Sequence, residues 1–147
     1  MKNSFALAVK AIVIRDGRFL VLHRSKKEME ESILNKNQCW DLPGGGVHFY
    51  EKNKSALMRE IWEETRLKTE MKFLYSCYDI IKLGIHMTIL TYVCLYKGGE
   101  VILSDEHDAF YWLTTDEMEQ MHIPDWMIRD FKKASKLYAE HMQYNNL

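Results

Sequence analysis

The residues best placed to do chemistry are glutamates. From Gly45 the chain runs five residues to Glu51 and seven more to Arg59-Glu60-Ile61-Trp62-Glu63-Glu64-Thr65-Arg66-Leu67, which puts four acids into 14 positions. On a helix, side chains three and four apart share a face, so Glu60, Glu63 and Glu64 project carboxylates onto one side. A like-charged i,i+4 pair such as Glu60 and Glu64 costs roughly 0.2–0.5 kcal/mol on an isolated helix. A divalent cation offsets that repulsion. Hard carboxylate oxygens suit Mg2+, with Mn2+ as a substitute, and Mg2+ sits on one or two carboxylates together with substrate phosphates. The cluster therefore points to phosphate chemistry, with each acid facing metal and solvent. The competing reading is a solvated stripe in which Arg59 pairs with Glu63 at i,i+4.

Elements must position these acids. Asn53 suits the N-cap of the glutamate helix, which presents Leu57 and Ile61, with Met58 and Trp62 beside them, to a core on the side opposite the acids. Phe5 to Ile14 and Arg18 to His23 are apolar or β-branched runs joined by Arg15-Asp16-Gly17, a hairpin signal. Lys72 to Lys82 and Ile85 to Tyr96, separated by Leu83-Gly84, form a second hairpin. Glu100 to Leu103 and Ala109 to Leu113 read as further strands, and polar Lys26 to Asn37 as a loop with solvated Glu28, Glu30 and Glu31, bordering the site. Thr114 and Glu117 make a capping box for a short helix to about Met121. A last helix starts near Pro124, with Met127, Phe131, Ala134 and Tyr138 at helical spacing for core packing. The sum is a mixed sheet with helices on its faces, one domain over residues 1–147.

Composition narrows the classes. With 20 basic and 21 acidic residues the formal net charge is −1, and no Lys/Arg tract marks a surface for long nucleic acid or membrane. Cys39, Cys77 and Cys94 lack CxxC spacing, so free thiols in a reducing, cytoplasmic setting are expected. The apolar start, Met1 to Ile14, is interrupted by Lys10 and followed by the Asp16-Gly17 turn, so it reads as a strand and not a signal peptide.

The order Gly, Glu, Arg-Glu, hydrophobe, any residue, Glu-Glu at these spacings, preceded by Trp40-Asp41-Leu42-Pro43-Gly44-Gly45-Gly46, resembles the signature of the Nudix hydrolase family. The resemblance implies an α/β/α sandwich with a mixed β-sheet, of α+β or α/β class. It implies hydrolysis of a pyrophosphate linkage in a nucleoside diphosphate derivative, with Mg2+ held by Glu60, Glu63, Glu64 and the Gly44 carbonyl. Glu106, six residues before Trp112, matches an additional glutamate that relatives use; Glu106 or one of the trio, Glu63 and Glu64 included, would accept the proton of the attacking water. Glu51 and Arg59 look architectural, tying loop to helix, and Gly44, Gly45 and Gly46 provide tight turning and close backbone approach. His107 is expected to face solvent.

Two positions depart from the pattern. Arg66 stands where the family has a glycine, so a reshaped helix end is expected, because a residue with a Cβ pays roughly 1–2 kcal/mol for the left-handed cap. His48-Phe49-Tyr50 places three rings in the loop before Glu51, and packing against neighbours is the expectation ahead of stacking on a base. For substrate, the Ser-Gln-Pro-Trp-Pro array of NADH enzymes is absent, and Lys82-Leu83-Gly84 stands where ADP-ribose enzymes have Pro and dinucleoside polyphosphate enzymes have Tyr. Elimination leaves a nucleoside triphosphate pyrophosphohydrolase acting on a small-molecule nucleotide, with a homodimer allowed. The alternatives are a non-catalytic sensor of nucleotide derivatives and a hydrolase of nucleotide sugars, dinucleotides or RNA 5′ ends.

Overall fold

A computed structural model describes residues 3–32 and 37–145. Strand β1 (Ser4–Arg15) turns through Asp16 and Gly17, both at positive φ, into β2 (Arg18–Arg24). That backbone matches the twist of the paired strands, which is why an Asp-Gly turn fits there. The same device at Leu83 and Gly84 joins β5 (Lys68–Lys82) to β6 (Ile85–Gly98).

Sheet order is β3-β2-β1-β6-β5, where β3 is Trp40–Asp41. One edge of β1 is divided. Its end pairs with β2 at Ile14↔Phe19, whereas nearer its start it pairs antiparallel with β4 (Gly44–Gly46) at Lys10↔Gly44. Its other edge pairs parallel with β6, making the sheet mixed as expected, and β7 (His107–Leu113) lies against β2.

Alternation along the central strands sets the two layers. Val9, Ala11, Val13, Leu20 and Leu22 point to one face, where they meet Ala56, Leu57 and Ile61 of α2 (Asn53–Thr65). Ile12, Ile14, Phe19 and Val21 point to the other, against Met118 of α3 (Thr115–Gln120) and Met127, Ile128, Phe131 and Ala134 of α4 (Asp125–Asn145). A period of two in strands between helices of period 3.6 leaves this sandwich as the arrangement that buries both faces. Fully buried Leu57 and Ile61 each contribute roughly 1.5–3 kcal/mol and hold α2 on the sheet.

Several local expectations are corrected. Residues 26–31 form a helix, α1 (Lys26–Glu31), because the Ser25 hydroxyl accepts from the Glu28 amide; the rest of the expected loop lies partly outside the described residues. The cap of α2 is Lys52, without a side-chain bond, and Asn53 is already helical. Glu100 to Leu103 is not a strand. Its donors go to the end of α2 instead, with the Ile102 and Ser104 amides donating to the Thr65 and Glu64 carbonyls. Those are orphan acceptors of a helix terminus, and satisfying them outweighs the segment's β propensity. Arg66 keeps the left-handed cap at φ 62°, so the helix end retains its shape, with the guanidinium over the Trp62 ring at 5.4 Å.

Candidate active site

Three consecutive glycines and one helix build the site. At φ 142°, Gly44 lies in a region closed to side chains, and a Cβ there would come within 2.8 Å of Lys10 Cα. A Cβ on Gly45 would meet the Glu60 carboxylate at 2.7 Å. Absence of side chains therefore lets β4 lie on β1 while α2 presses its acids against the glycine backbone.

Arg59 ties the parts together. Its Nε and Nη2 donate to the two Glu51 oxygens at 2.9 and 3.0 Å, Nη2 also reaches the Gly46 carbonyl at 3.0 Å, and Nη1 bonds Glu60 at 2.9 Å and Glu63 at 3.3 Å. Hydrogen bonds from Arg59, with one from the His48 amide, hold the Glu51 carboxyl down at about 2. The loop and helix are thereby joined through one planar guanidinium, whose fork matches a carboxylate. His48-Phe49-Tyr50 does not pack as expected: Phe49 and Tyr50 are 86% and 97% exposed and touch one another edge to face.

The glutamates do not share one environment. Glu63 is exposed, Glu60 is largely covered, and Glu64 is 1% exposed. The expectation that each acid faces solvent fails for Glu64, since it follows Leu57 by seven residues and Ile61 by three and so lies on their apolar stripe. One Glu64 oxygen accepts from the Gly44 amide at 3.2 Å; the other, Oε2, has no hydrogen-bond partner. Burial pushes this carboxyl up to about 9, with Asp41 and Glu106 adding to the rise against Lys10.

Beside Glu64 lies a polar group that the sequence reading did not assemble. His107 is buried at the start of β7, with Nε2 on Asp41 Oδ2 at 2.9 Å and Nδ1 facing Glu64 Oε2 at 3.7 Å. Its expected exposure is corrected: the Asp41 carboxylate holds Nε2 inside the fold. Lys10 donates to Asp41 Oδ1 and the Leu42 carbonyl, both at 3.1 Å, and to the Gly44 carbonyl at 3.5 Å. Burial works against charge on both partners, but attraction to Asp41 and Glu64 raises Lys10, and Lys10 and His107 bring Asp41 down to about 2. The only sequence trace was a lysine interrupting an apolar strand, since Lys10, Asp41 and His107 are far apart along the chain.

Glu106 joins them: Glu64, Glu106 and His107 each offer a ligand atom within 4.8 Å of the others. Burial, then Glu28 and Glu60, raise its carboxyl. A cleft of about 950 Å3 opens alongside, walled by Gly44 to Gly46, Glu60 and Glu106 on one side and by Trp40, Tyr78 and Trp126 elsewhere. Its size suits a nucleotide-sized ligand.

A sandwich with a glycine strand against an acid-bearing helix, open on an aromatic cleft, defines an enzyme domain for polyanionic small molecules. The NUDIX domain matches residues 4–133, and the chain belongs to the Nudix family, hydrolases of pyrophosphate bonds that generally use a divalent metal. A MutT-like protein of Streptomyces ambofaciens is 32% identical over 125 residues, 84% of this chain and 73% of that protein. An ADP-ribose pyrophosphatase of Methanocaldococcus jannaschii is 32% identical over 104 residues, 69% of this chain and 57% of its own length. A Mycobacterium tuberculosis protein with the provisional name 8-oxo-dGTP diphosphatase 2 is 35% identical over 92 residues, 62% of each chain. The crystal structure of a MutT protein from Methanosarcina mazei Go1 superposes with a TM-score of 0.73 at 25% identity, covering 94% of this chain and 98% of that one. No described helix is long and apolar enough to cross a membrane.

Proposed function

We propose that the chain is a Mg2+-dependent pyrophosphohydrolase of nucleoside triphosphates, releasing a nucleoside monophosphate and pyrophosphate. The observation that carries this reading is the buried, unpartnered Glu64 oxygen behind the glycine strand, 3.7 Å from His107, next to a cleft of nucleotide size. The donors have the chemistry a hard cation needs: Glu60, Glu63, Glu64 and the Gly44 carbonyl would hold it, all through oxygen, and Glu64 also lies within 4.8 Å of ligand atoms of Glu106 and His107. Bound there, such an ion neutralises phosphate charge and lowers the pKa of an attacking water.

The chain's own groups do the rest. Gly44, Gly45 and Gly46 bring bare backbone to the cleft wall, so a triphosphate can approach closely. Arg59 fixes Glu60 and Glu51 relative to that backbone. Glu106, its basicity raised by burial and by Glu28 and Glu60, accepts the water proton. Trp40, Tyr78 and Trp126 offer ring faces for a base. The relative named for 8-oxo-dGTP supports a triphosphate. The relative named for ADP-ribose supports a second reading, a nucleotide-sugar substrate cleaved at the same linkage.

Chromatographic product analysis with Mg2+ against nucleoside triphosphates, oxidised analogues, ADP-ribose and dinucleotides tests both. Monophosphate plus pyrophosphate from a triphosphate supports the first reading. Cleavage of ADP-ribose alone selects the second, and no turnover with Mg2+ or Mn2+ refutes catalysis.

A further inference from the structure

The asymmetry around His107 carries a further step, which rests on the metal-dependent reading above. One Asp41 oxygen accepts from Lys10 and the other lies 2.9 Å from His107 Nε2. That contact occupies Nε2 and leaves Nδ1 as the ring's second nitrogen. Nδ1 faces Glu64 Oε2 across 3.7 Å. Both atoms are buried without a hydrogen-bond partner, in side chains 1% and 2% exposed. A proton on either atom forms no hydrogen bond over that distance. A cation coordinated by both atoms satisfies each of them. A carboxylate holding the far nitrogen of an imidazole is also how proteins orient histidine metal ligands.

We propose that His107 Nδ1 is a metal ligand, which with Glu64 and Glu106 makes a mixed nitrogen and oxygen site for a first-row transition cation. Mg2+ takes oxygen donors, whereas first-row transition cations also accept imidazole, so this trio favours Mn2+ over Mg2+. His107 is thereby drawn into the site through its nitrogen, and Asp41 and Lys10 act through it as positioning residues.

Pulsed electron paramagnetic resonance of Mn2+ bound to the intact chain tests this without turnover. Wild type is expected to show histidine-nitrogen modulation that changes when histidine is labelled with 15N. His107→Gln should abolish it and weaken Mn2+ binding by about tenfold or more, against a smaller loss for Mg2+. Because a buried substitution can disturb folding, a second variant replaces His23, His48, His86 and His141 by Gln and His122, at φ 58°, by Asn; it should keep the modulation. Absence of Mn2+ binding, absence of nitrogen modulation in wild type, survival of the modulation in His107→Gln, or its loss in the second variant overturns the assignment. Modulation without hydrolysis of any nucleotide leaves the ligand in place and removes the hydrolase reading instead.

Discussion

The three adjacent glycines should respond differently to the same added methyl group. At Gly44, Ala would occupy a backbone region nearly exclusive to glycine, costing about 1–3 kcal/mol. Its Cβ would also strike backbone, Lys10 Cα at 2.8 Å and Val9 C at 2.9 Å, which yields only if β4 parts from β1. Losing two ladder hydrogen bonds adds roughly 0.5–1.5 kcal/mol each. The sum, about 2–6 kcal/mol, is a large share of the roughly 5–15 kcal/mol of a typical domain. At Gly45 the obstacle is the Glu60 carboxylate at 2.7 Å, the free end of a side chain, which can swing away. Gly45→Ala should therefore stay within about 1 kcal/mol of wild type yet lose on the order of 100-fold in turnover, as displacement of a positioned group by 1 Å can do. Gly46, where a Cβ meets nothing within 4 Å, should tolerate Ala to within about 0.5 kcal/mol with activity kept. Urea unfolding followed by circular dichroism, with pyrophosphate release measured on the same preparations, separates the three. A Gly44→Ala variant as stable as wild type, or a fully active Gly45→Ala, would refute the packing argument.

Other outcomes follow from the same geometry. Glu63→Gln and Glu64→Gln should each cut turnover by orders of magnitude with the fold retained; near wild-type rates in both would remove them from the metal site. Arg66→Gly gains about 1–2 kcal/mol at φ 62° but loses a ring contact worth about 0.5–1 kcal/mol and stiffness of the unfolded chain, so unfolding should show a change below about 1 kcal/mol. Glu64 titrates near 9 when folded and in the ordinary glutamate range when unfolded, so the folded protein holds the extra proton. Metal-free stability should thus be unaffected by this group at acid pH and fall as pH rises through that interval, at up to about 1.4 kcal/mol per pH unit. Thermal melts of wild type against Glu64→Gln isolate the slope, Mg2+ should flatten it, and identical pH profiles would contradict it.

Much of the frame was legible along the chain because it rests on local rules. Strand alternation, the Asp16-Gly17 and Leu83-Gly84 turns and the Thr114 and Glu117 capping box all act within a few residues, and all appear in the structure. The Ser25 and Glu28 pattern carries the same kind of local information for α1, where it outweighs the polarity of the segment. Glu100 to Leu103 could not be read locally, because its partners are carbonyls at the end of a helix more than 30 residues earlier. The exposure of Phe49 and Tyr50 likewise depended on tertiary packing, since among the described residues no wall meets them.

By itself the sequence determined the order of elements, the two-faced strands and the acids that α2 would carry, since periodicity and spacing are properties of a chain. Spacing put Glu64 on the stripe of Leu57 and Ile61, and tertiary packing turned that into inequality among the acids. Packing α2 on the sheet sealed Glu64 behind Gly44 and left Glu63 in water, and closing β3, β7 and β1 around one point set Lys10, Asp41 and His107 in line. Charge and basicity depend on burial and on neighbours in space, and neither exists until distant segments meet.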